Sequence, residues 1–450
     1  MKRTTTLSLT ACLTVLAACP TAAPTAAEPA AREPTPGPDK PDKPDKPDKP
    51  GPEPRPVAAP APTKQHADEL ARIDQEIAAT SRRAEAHPHG WLVLDRLAGL
   101  HLGRARLSGD YDDYAKAEAA LERAFTVAGK DAGPHLTRIA LNFTLHRLDR
   151  VAADLERVEK YAIKTPAERR ALRELGAELA FQQGRYADAR AGFEAALAAE
   201  PGDVTNRARM ALLRWKTGDF AGAEDLYGQA LAGRIDGEPA AWLHLQLGLM
   251  DLERGRHDEA LAHYRDAAAR LSGYWLLDEH IAEILTLQGQ TDAALALYAD
   301  IIARTDNPEF MDAVAGIHRA AGRTEAAAPL IARADAIYEA QLLRFPEAAY
   351  GHALEHFLEF GADPKRAVTL AEANHRTRPN AEAKISLARA YLQAGRKDDA
   401  RKAIDEALAT PWNTADLHAV AAEVLTATGD AAAASEQRRL ALAINPAVLD

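Results

Sequence analysis

The sequence predicts an all-α protein, an α-solenoid of about nine or ten helix–turn–helix repeats. Three observations lead to this prediction. The chain has 450 residues, 47% hydrophobic and 27% charged, which is typical of a protein that buries a core. Fifteen of its 27 prolines lie between Pro20 and Pro62, so the remainder is free to form helices. Within that remainder, glycines recur at intervals close to 34 residues.

Residues 1–18 have the features of a secretory signal peptide. Lys2 and Arg3 give a positive start, and the apolar stretch that follows is too short to span a bilayer. The stretch ends in Leu16-Ala17-Ala18-Cys19, which resembles the lipobox of bacterial lipoproteins. The resemblance implies that Cys19 is acylated and anchors the chain in a membrane; ordinary cleavage near Ala18 is the alternative. Because Pro20 is not Asp, the sorting rule of that family favours the outer membrane, facing the periplasm.

Residues 19–64 are predicted to be a disordered tether that begins with the lipidated cysteine. The tract from Pro38 to Pro50 repeats Pro-Asp-Lys, and a proline at every third position favours extended polyproline II, at about 3.1 Å per residue. Such a segment is suited to hold a folded domain away from a membrane surface.

The remainder of the chain is predicted to be one continuous helical body. Residues 65–87 form an N-terminal capping helix, residues 88–345 the first set of repeats and residues 346–450 the C-terminal repeats. This body contains no cysteine, which excludes disulfides, thiolate zinc sites and cysteine nucleophiles from it. The net charge of −11 argues against binding to nucleic acid.

A recurring pattern of glycine, alanine and aromatic residues marks the repeats. Gly184 is followed by Tyr186, Ala189 and Phe193, and similar strings begin at most of the other turn glycines. The pattern resembles the tetratricopeptide repeat family, whose unit is a 34-residue helix–turn–helix. At one turn His146 stands where the glycine is expected. The predicted turn glycines are Gly184, Gly218, Gly255, Gly289, Gly322, Gly361, Gly395 and Gly429.

The resemblance implies that the first helix of each repeat lines a concave surface that binds protein partners. Counting from the turn glycines predicts an acidic rim and an aromatic and leucine floor in the central repeats. The C-terminal repeats add Glu355, Glu359, Glu382, Arg389 and Glu423. The central groove residues are Glu174, Glu178, Phe181, Trp215, Trp242, Leu245, Leu249, Leu252, Glu279 and Glu283.

The composition of this groove indicates the chemistry of its partner. An acidic groove with an apolar floor favours an apolar or basic peptide or helix. The cationic clamp by which some members of the family hold an acidic peptide end is absent from the sequence, since Lys216 and Arg389 are isolated along the chain. Packing of Trp215 and Trp242 between repeats, away from any partner, is the alternative interpretation.

One string matches an inverted zinc-protease motif, His352-Ala353-Leu354-Glu355-His356. Histidines four residues apart lie on one helix face, which suits a metal ion, but a third ligand and a dry cleft are also required. We interpret His352 and His356 as structural, with a metal-dependent hydrolase using His352, Glu355 and His356 as the alternative. We find no other catalytic motif, and we predict neither enzymatic activity nor a cofactor.

The sequence as a whole favours a membrane-anchored scaffold or adaptor in the bacterial cell envelope, with a protein as its partner. A passive spacer associated with the cell wall is a further alternative.

Overall fold

The computed structural model describes residues 64–129, 132–233, 235–361 and 363–449, which are mostly helical. The predicted signal peptide, Cys19 and nearly all of the tether lie outside these residues. A short strand β1 (Lys64–Gln65) pairs in parallel with β2 (Leu271–Ser272). None of the helices in the described ranges combines the length and the apolar character needed to cross a bilayer.

The helices that follow α1 (His66–Ala86) form ten consecutive antiparallel pairs within the described residues. This number agrees with the predicted nine or ten repeats. The first helices of the pairs are α2 (Trp91–Ser108), α4 (His135–Thr144), α6 (Pro166–Gln182), α8 (Val204–Lys216), α10 (Glu238–Glu253), α12 (Trp275–Leu287), α14 (Pro308–Ala320), α16 (Pro346–Glu359), α18 (Ala381–Gln393) and α20 (Ala415–Ala427). The second helices are α3 (Tyr111–Val127), α5 (Leu148–Glu159), α7 (Tyr186–Ala199), α9 (Phe220–Leu231), α11 (His257–Arg270), α13 (Thr291–Thr305), α15 (Thr324–Arg344), α17 (Pro364–Thr377), α19 (Lys397–Leu408) and α21 (Ala431–Ile444).

A residue in the left-handed conformation ends the first helix of most pairs. Seven of the eight predicted turn glycines have φ between 71° and 86°, which an L side chain rarely adopts. His146 has φ 56° and therefore occupies the position of the missing glycine. Gly361 is a correction to the prediction, because it lacks a positive φ. Its turn is instead closed by Asp363, whose carboxylate accepts the Lys365 amide at the start of α17.

The alanines and aromatic residues of the repeat pattern form the core between the paired helices. Ala189, Ala223, Ala260 and Ala294 have no exposed surface, which allows the helix backbones to approach closely. The aromatic residue that follows in each second helix fills the space beside this contact, and burying such a side chain contributes about 1.5 to 3 kcal/mol. The exposed fraction of these aromatic side chains is 2% or less for Phe193, Tyr227, Tyr264 and Tyr298.

The solenoid turns back on itself, so that its early and late repeats touch. The Trp275 indole donates a hydrogen bond to the Leu107 carbonyl oxygen over 2.7 Å, across 168 residues of sequence. The Ala381 amide donates to the Tyr186 hydroxyl over 2.8 Å, across 195 residues. Arg147 pairs with Glu347 at 3.4 Å, across 200 residues. These contacts close the superhelix and bring its first helices towards one another.

Candidate partner-binding surface

Charged side chains from five first helices meet where the early and late repeats approach. Lys216 of α8 places its Nζ 2.9 Å from Oε2 of Glu253 and 4.0 Å from Oε1 of Glu382. Arg389 of α18 lies 2.6 Å from Oδ1 of Asp416 and 3.4 Å from Oε2 of Glu355. Glu423 of α20 adds a further carboxylate that acts on Arg389 through space. We call this set the first-helix cluster: Lys216, Glu253, Glu355, Glu382, Arg389, Asp416 and Glu423.

The first-helix cluster contains more anionic than cationic side chains. Burial alone would lower the pKa of Lys216, but Glu253 and Glu382 outweigh burial and raise that pKa, so Lys216 remains a cation. Burial raises the pKa of Glu355, although Arg389 opposes the shift. The Glu355 side chain is 33% exposed and that of Asp416 is 42% exposed, so solvent and a ligand reach them. Five carboxylates surround two cations, and both cations are already paired.

The predicted acidic rim begins with Glu174 and Glu178 on α6. Both carboxylates face Arg209, at 3.5 Å from Glu174 and 3.7 Å from Glu178, and Arg209 is only 5% exposed. The Gln182 side chain also donates to Glu178 over 3.0 Å. Burial raises the pKa of Glu178. Glu178 therefore satisfies an internal arginine and does not stand at an open rim, whereas Glu174 keeps part of its surface in solvent.

The predicted aromatic and leucine floor is largely buried. Trp215 is 3% exposed and donates its indole N–H to Glu253 over 3.0 Å, so its packing agrees with the alternative interpretation for this residue. Trp242 and Leu252 are half-buried. These side chains pack into the core because neighbouring repeats cover them. The other floor residues are also buried, Phe181, Leu245 and Leu249. Their assignment to a binding groove stays a prediction.

The predicted Glu279 and Glu283 of α12 lie on either side of a buried histidine. Nδ1 of His280 is 3.1 Å from Oε2 of Glu279 and 3.2 Å from Oε2 of Glu283. Tyr264 stacks on the His280 ring, with ring centroids 5.2 Å apart. Burial raises the pKa of Glu279. Glu279 is only 1% exposed, so this part of the predicted rim also faces the interior.

The two histidines of the His-x-x-Glu-His string each bind a carboxylate of α14. Nδ1 of His352 lies 2.8 Å from Oε1 of Glu309, and Nδ1 of His356 lies 2.8 Å from Oδ1 of Asp312. Glu355 faces Arg389 instead. Among the described residues, neither histidine belongs to a group whose ligand atoms converge on one point. Both histidines therefore connect neighbouring first helices.

No sequence pattern indicates that Glu253 and Asp416 belong to the first-helix cluster, and Lys216 and Arg389, which are isolated along the chain, are paired in the fold. Lys216 pairs with Glu253, which lies 37 residues later in the chain, and with Glu382 of α18. No local spacing reports such a contact. The repeat length offers a partial signal, because Glu355 and Arg389 occupy equivalent positions 34 residues apart in successive first helices.

Family comparisons identify the repeats in two parts of the chain. Models described as tetratricopeptide repeat match residues 180–245 in one case, and residues 143–204 and 362–416 in another. A search of the curated proteins found no match to this sequence.

Solved structures with a related fold share little sequence with this chain. The APC/C hetero-tetramer Cut9-Hcn1 is 15% identical, with 85% of this chain and 73% of that chain covered and a TM-score of 0.46. Yeast Tom70 is 17% identical, with 83% and 88% covered and a TM-score of 0.35. A tetratricopeptide repeat protein from Parabacteroides merdae is 16% identical, with 54% and 93% covered and a TM-score of 0.33. The matched segments are therefore tetratricopeptide repeats, and the ten helix pairs continue the same helix–turn–helix arrangement through the described residues.

Proposed function

We propose that this protein is a membrane-anchored lipoprotein that acts as a protein-binding scaffold or adaptor in the bacterial cell envelope. The repeats support the scaffold role, because stacked helix pairs offer an extended surface to a partner. The sequence Leu16-Ala17-Ala18-Cys19 supports the anchor, and the Pro-Asp-Lys tract supports a spacer between membrane and solenoid. We further propose that the protein resides in the outer membrane and faces the periplasm.

The observation that carries the scaffold proposal is the first-helix cluster. Its five carboxylates outnumber its two cations, so a basic partner segment gains attraction that an acidic one does not. Lys216 and Arg389 are occupied by carboxylates of the chain itself and are not free to hold an acidic peptide end. Since the cluster spans several first helices, a docked helix or extended peptide is the shape that suits it.

Affinity capture with the full-length protein tests this proposal. We expect a specific partner to be retained by the wild type and released by raised salt, because exposed charges are screened. A double variant, Glu355→Gln with Glu423→Gln, removes two negative charges from the cluster and should lose the partner. The matched control is Glu156→Gln, which removes an exposed carboxylate from the second helix α5. Full retention by the double variant would contradict the acidic-surface assignment.

Lipid labelling tests the anchor separately. Cells grown with radioactive palmitate should label the wild type and the Cys12→Ala control, but not Cys19→Ala. Label that persists in Cys19→Ala would show that acylation occurs elsewhere. This outcome would remove the lipoprotein proposal and leave the scaffold proposal intact.

A further inference from the structure

Two histidines and an aspartate converge where α10 packs against α11. His244 lies on α10, and His263 and Asp266 lie one turn apart on α11. One nitrogen from each histidine and one carboxylate oxygen all lie within 4.8 Å of one another. Ligand atoms on a tetrahedral zinc ion are about 3.4 Å apart, as follows from bond lengths near 2.1 Å. Small side-chain rotations therefore suffice to bring the three atoms onto one ion.

The histidine nitrogens in this group are chemically available. Nδ1 of His244 and Nδ1 of His263 are shielded from solvent, and neither makes a hydrogen bond within the part of the chain that the structure describes. Buried polar atoms of proteins nearly always have a partner, because leaving one unsatisfied costs about 1 to 3 kcal/mol. A bound cation would supply the partner that these two atoms lack.

A second carboxylate orients one of the rings. Nε2 of His263 faces Oδ2 of Asp251 at 3.6 Å, and Asp251 is held in place by Arg256. A carboxylate behind a histidine favours the proton on the nitrogen that faces it, which leaves the lone pair on the other nitrogen for a metal ion. The arrangement is typical of the residues that surround protein metal sites.

The charges around the group suit a divalent cation. Arg270, at the end of α11, has its Nη1 3.9 Å from Oδ1 of Asp236, which offsets part of its positive charge. Asp266 is exposed and brings a negative charge from the solvent side.

We propose that His244, His263 and Asp266 form a binding site for one divalent transition-metal ion, of which Zn²⁺ is the representative. Two imidazole nitrogens select such ions over Mg²⁺ and Ca²⁺, which prefer oxygen ligands. Three protein ligands leave a fourth position for water or for a side chain of a bound partner. The site is distinct from the first-helix cluster and does not depend on the proposed function.

The other histidine clusters are less suited to bind a metal ion. At Glu279, His280 and Glu283 only one imidazole is present. Its Nδ1 faces both carboxylates, and although its Nε2 makes no hydrogen bond among the described residues, the whole group is buried. His352 and His356 are each engaged by a carboxylate of α14. Both sets therefore serve as internal controls for the assignment.

Calorimetric titration of Zn²⁺ into the full-length protein tests the proposal. We expect one ion per chain, and Co²⁺ in its place should give the visible absorption of a site with nitrogen and oxygen ligands. Changing a residue that hydrogen-bonds a metal ligand typically weakens metal binding about 10- to 100-fold, so loss of a direct ligand in His263→Asn should weaken it by more than that range. Asp266→Ala should also weaken binding, and because Asp266 is exposed this variant leaves the core intact.

Two matched histidine variants distinguish this site from any other. His257→Asn changes a half-buried histidine of the same helix α11, and His352→Gln changes the His-x-x-Glu-His string; both should bind Zn²⁺ as the wild type does. Circular dichroism confirms that each variant is folded. The proposal is overturned if the wild type binds no Zn²⁺, if Asp266→Ala and His263→Asn keep wild-type affinity, or if only His352→Gln loses the ion.

Discussion

Replacing Gly184 by alanine should disrupt the contact that closes the superhelix. Gly184 has φ 73°, and a Cβ atom added there would lie 2.8 Å from the Pro379 carbonyl oxygen and 3.2 Å from the Asn380 Cα. These are backbone atoms of a late repeat, so they cannot rotate away as a flexible side chain would. The hydrogen bond from the Ala381 amide to the Tyr186 hydroxyl lies beside this contact.

The expected loss of stability has two parts. Placing alanine in the left-handed conformation costs about 1 to 2 kcal/mol. Forcing an additional carbon into a tightly packed contact costs about 1 to 3 kcal/mol more. Gly395→Ala is the matched control, because Gly395 has φ 75° and, among the described residues, no atom lies within 4 Å of its added Cβ. The control should show only the first part.

Urea denaturation of the two variants measures the difference, and hydrogen exchange at the Ala381 amide reports the contact itself. We expect Gly184→Ala to lose more free energy of unfolding than Gly395→Ala and to exchange the Ala381 amide faster. Equal losses of stability, with unchanged exchange at Ala381, would refute the inference that the early and late repeats are packed against each other at this point.

Three further predictions concern buried polar groups. Tyr186→Phe leaves the Ala381 amide without its acceptor and should lower the free energy of unfolding in urea by about 1 to 3 kcal/mol. Tyr227→Phe should change stability little, because the Tyr227 hydroxyl makes no hydrogen bond among the described residues. Equal losses of stability in the two variants would contradict this assignment. Burial, opposed by His280 and reinforced by Glu283, raises the pKa of Glu279 from 4.5 to about 8. The folded state therefore retains a proton, and stability should fall as the pH rises from 4.5 towards 8. Glu279→Gln should reduce this fall, and an unchanged slope between pH 5 and pH 8 would argue against the assignment. Burial alone would raise the pKa of Asp154, but hydrogen bonds from Arg138 and His135 outweigh burial and lower that pKa below 3.8. The contribution of Asp154 to stability is therefore present above pH 3.8 and lost in acid. Asp154→Asn should destabilise the protein at pH 7, and an equal loss of stability at pH 3 would contradict this account.

Much of the fold follows from local sequence, because each repeat needs the same type of residue at the same turn and core positions. Gly218 and Gly255 take the left-handed conformation predicted for them, since a side chain is disfavoured there. Tyr227 and Tyr264 fill the core at the positions where the repeat pattern places an aromatic residue. Gly361 departs from the pattern because Asp363 and Pro364 begin the next helix by a different cap.

Local sequence predicts less of the candidate site than of the fold. The periodicity assigned Trp215 and Glu279 to first helices, but it did not report how completely neighbouring repeats would cover them. Burial depends on the angle at which successive pairs stack, and small changes in that angle decide whether a side chain faces solvent or protein. The proximity of His244 and His263 is not evident from the sequence for a similar reason, since these residues lie on different helices of one pair.

Local sequence predicts the helical class, the repeat length, most of the turn positions and the alanine and aromatic core, because each depends on residues less than one repeat apart. The tertiary structure alone decided how the superhelix closes, as in the contact of Trp275 with Leu107 across 168 residues. It also decided that Lys216 meets Glu382 and that the predicted groove floor is covered. Such contacts depend on rotations that accumulate over several repeats, and no local pattern of residues encodes their sum.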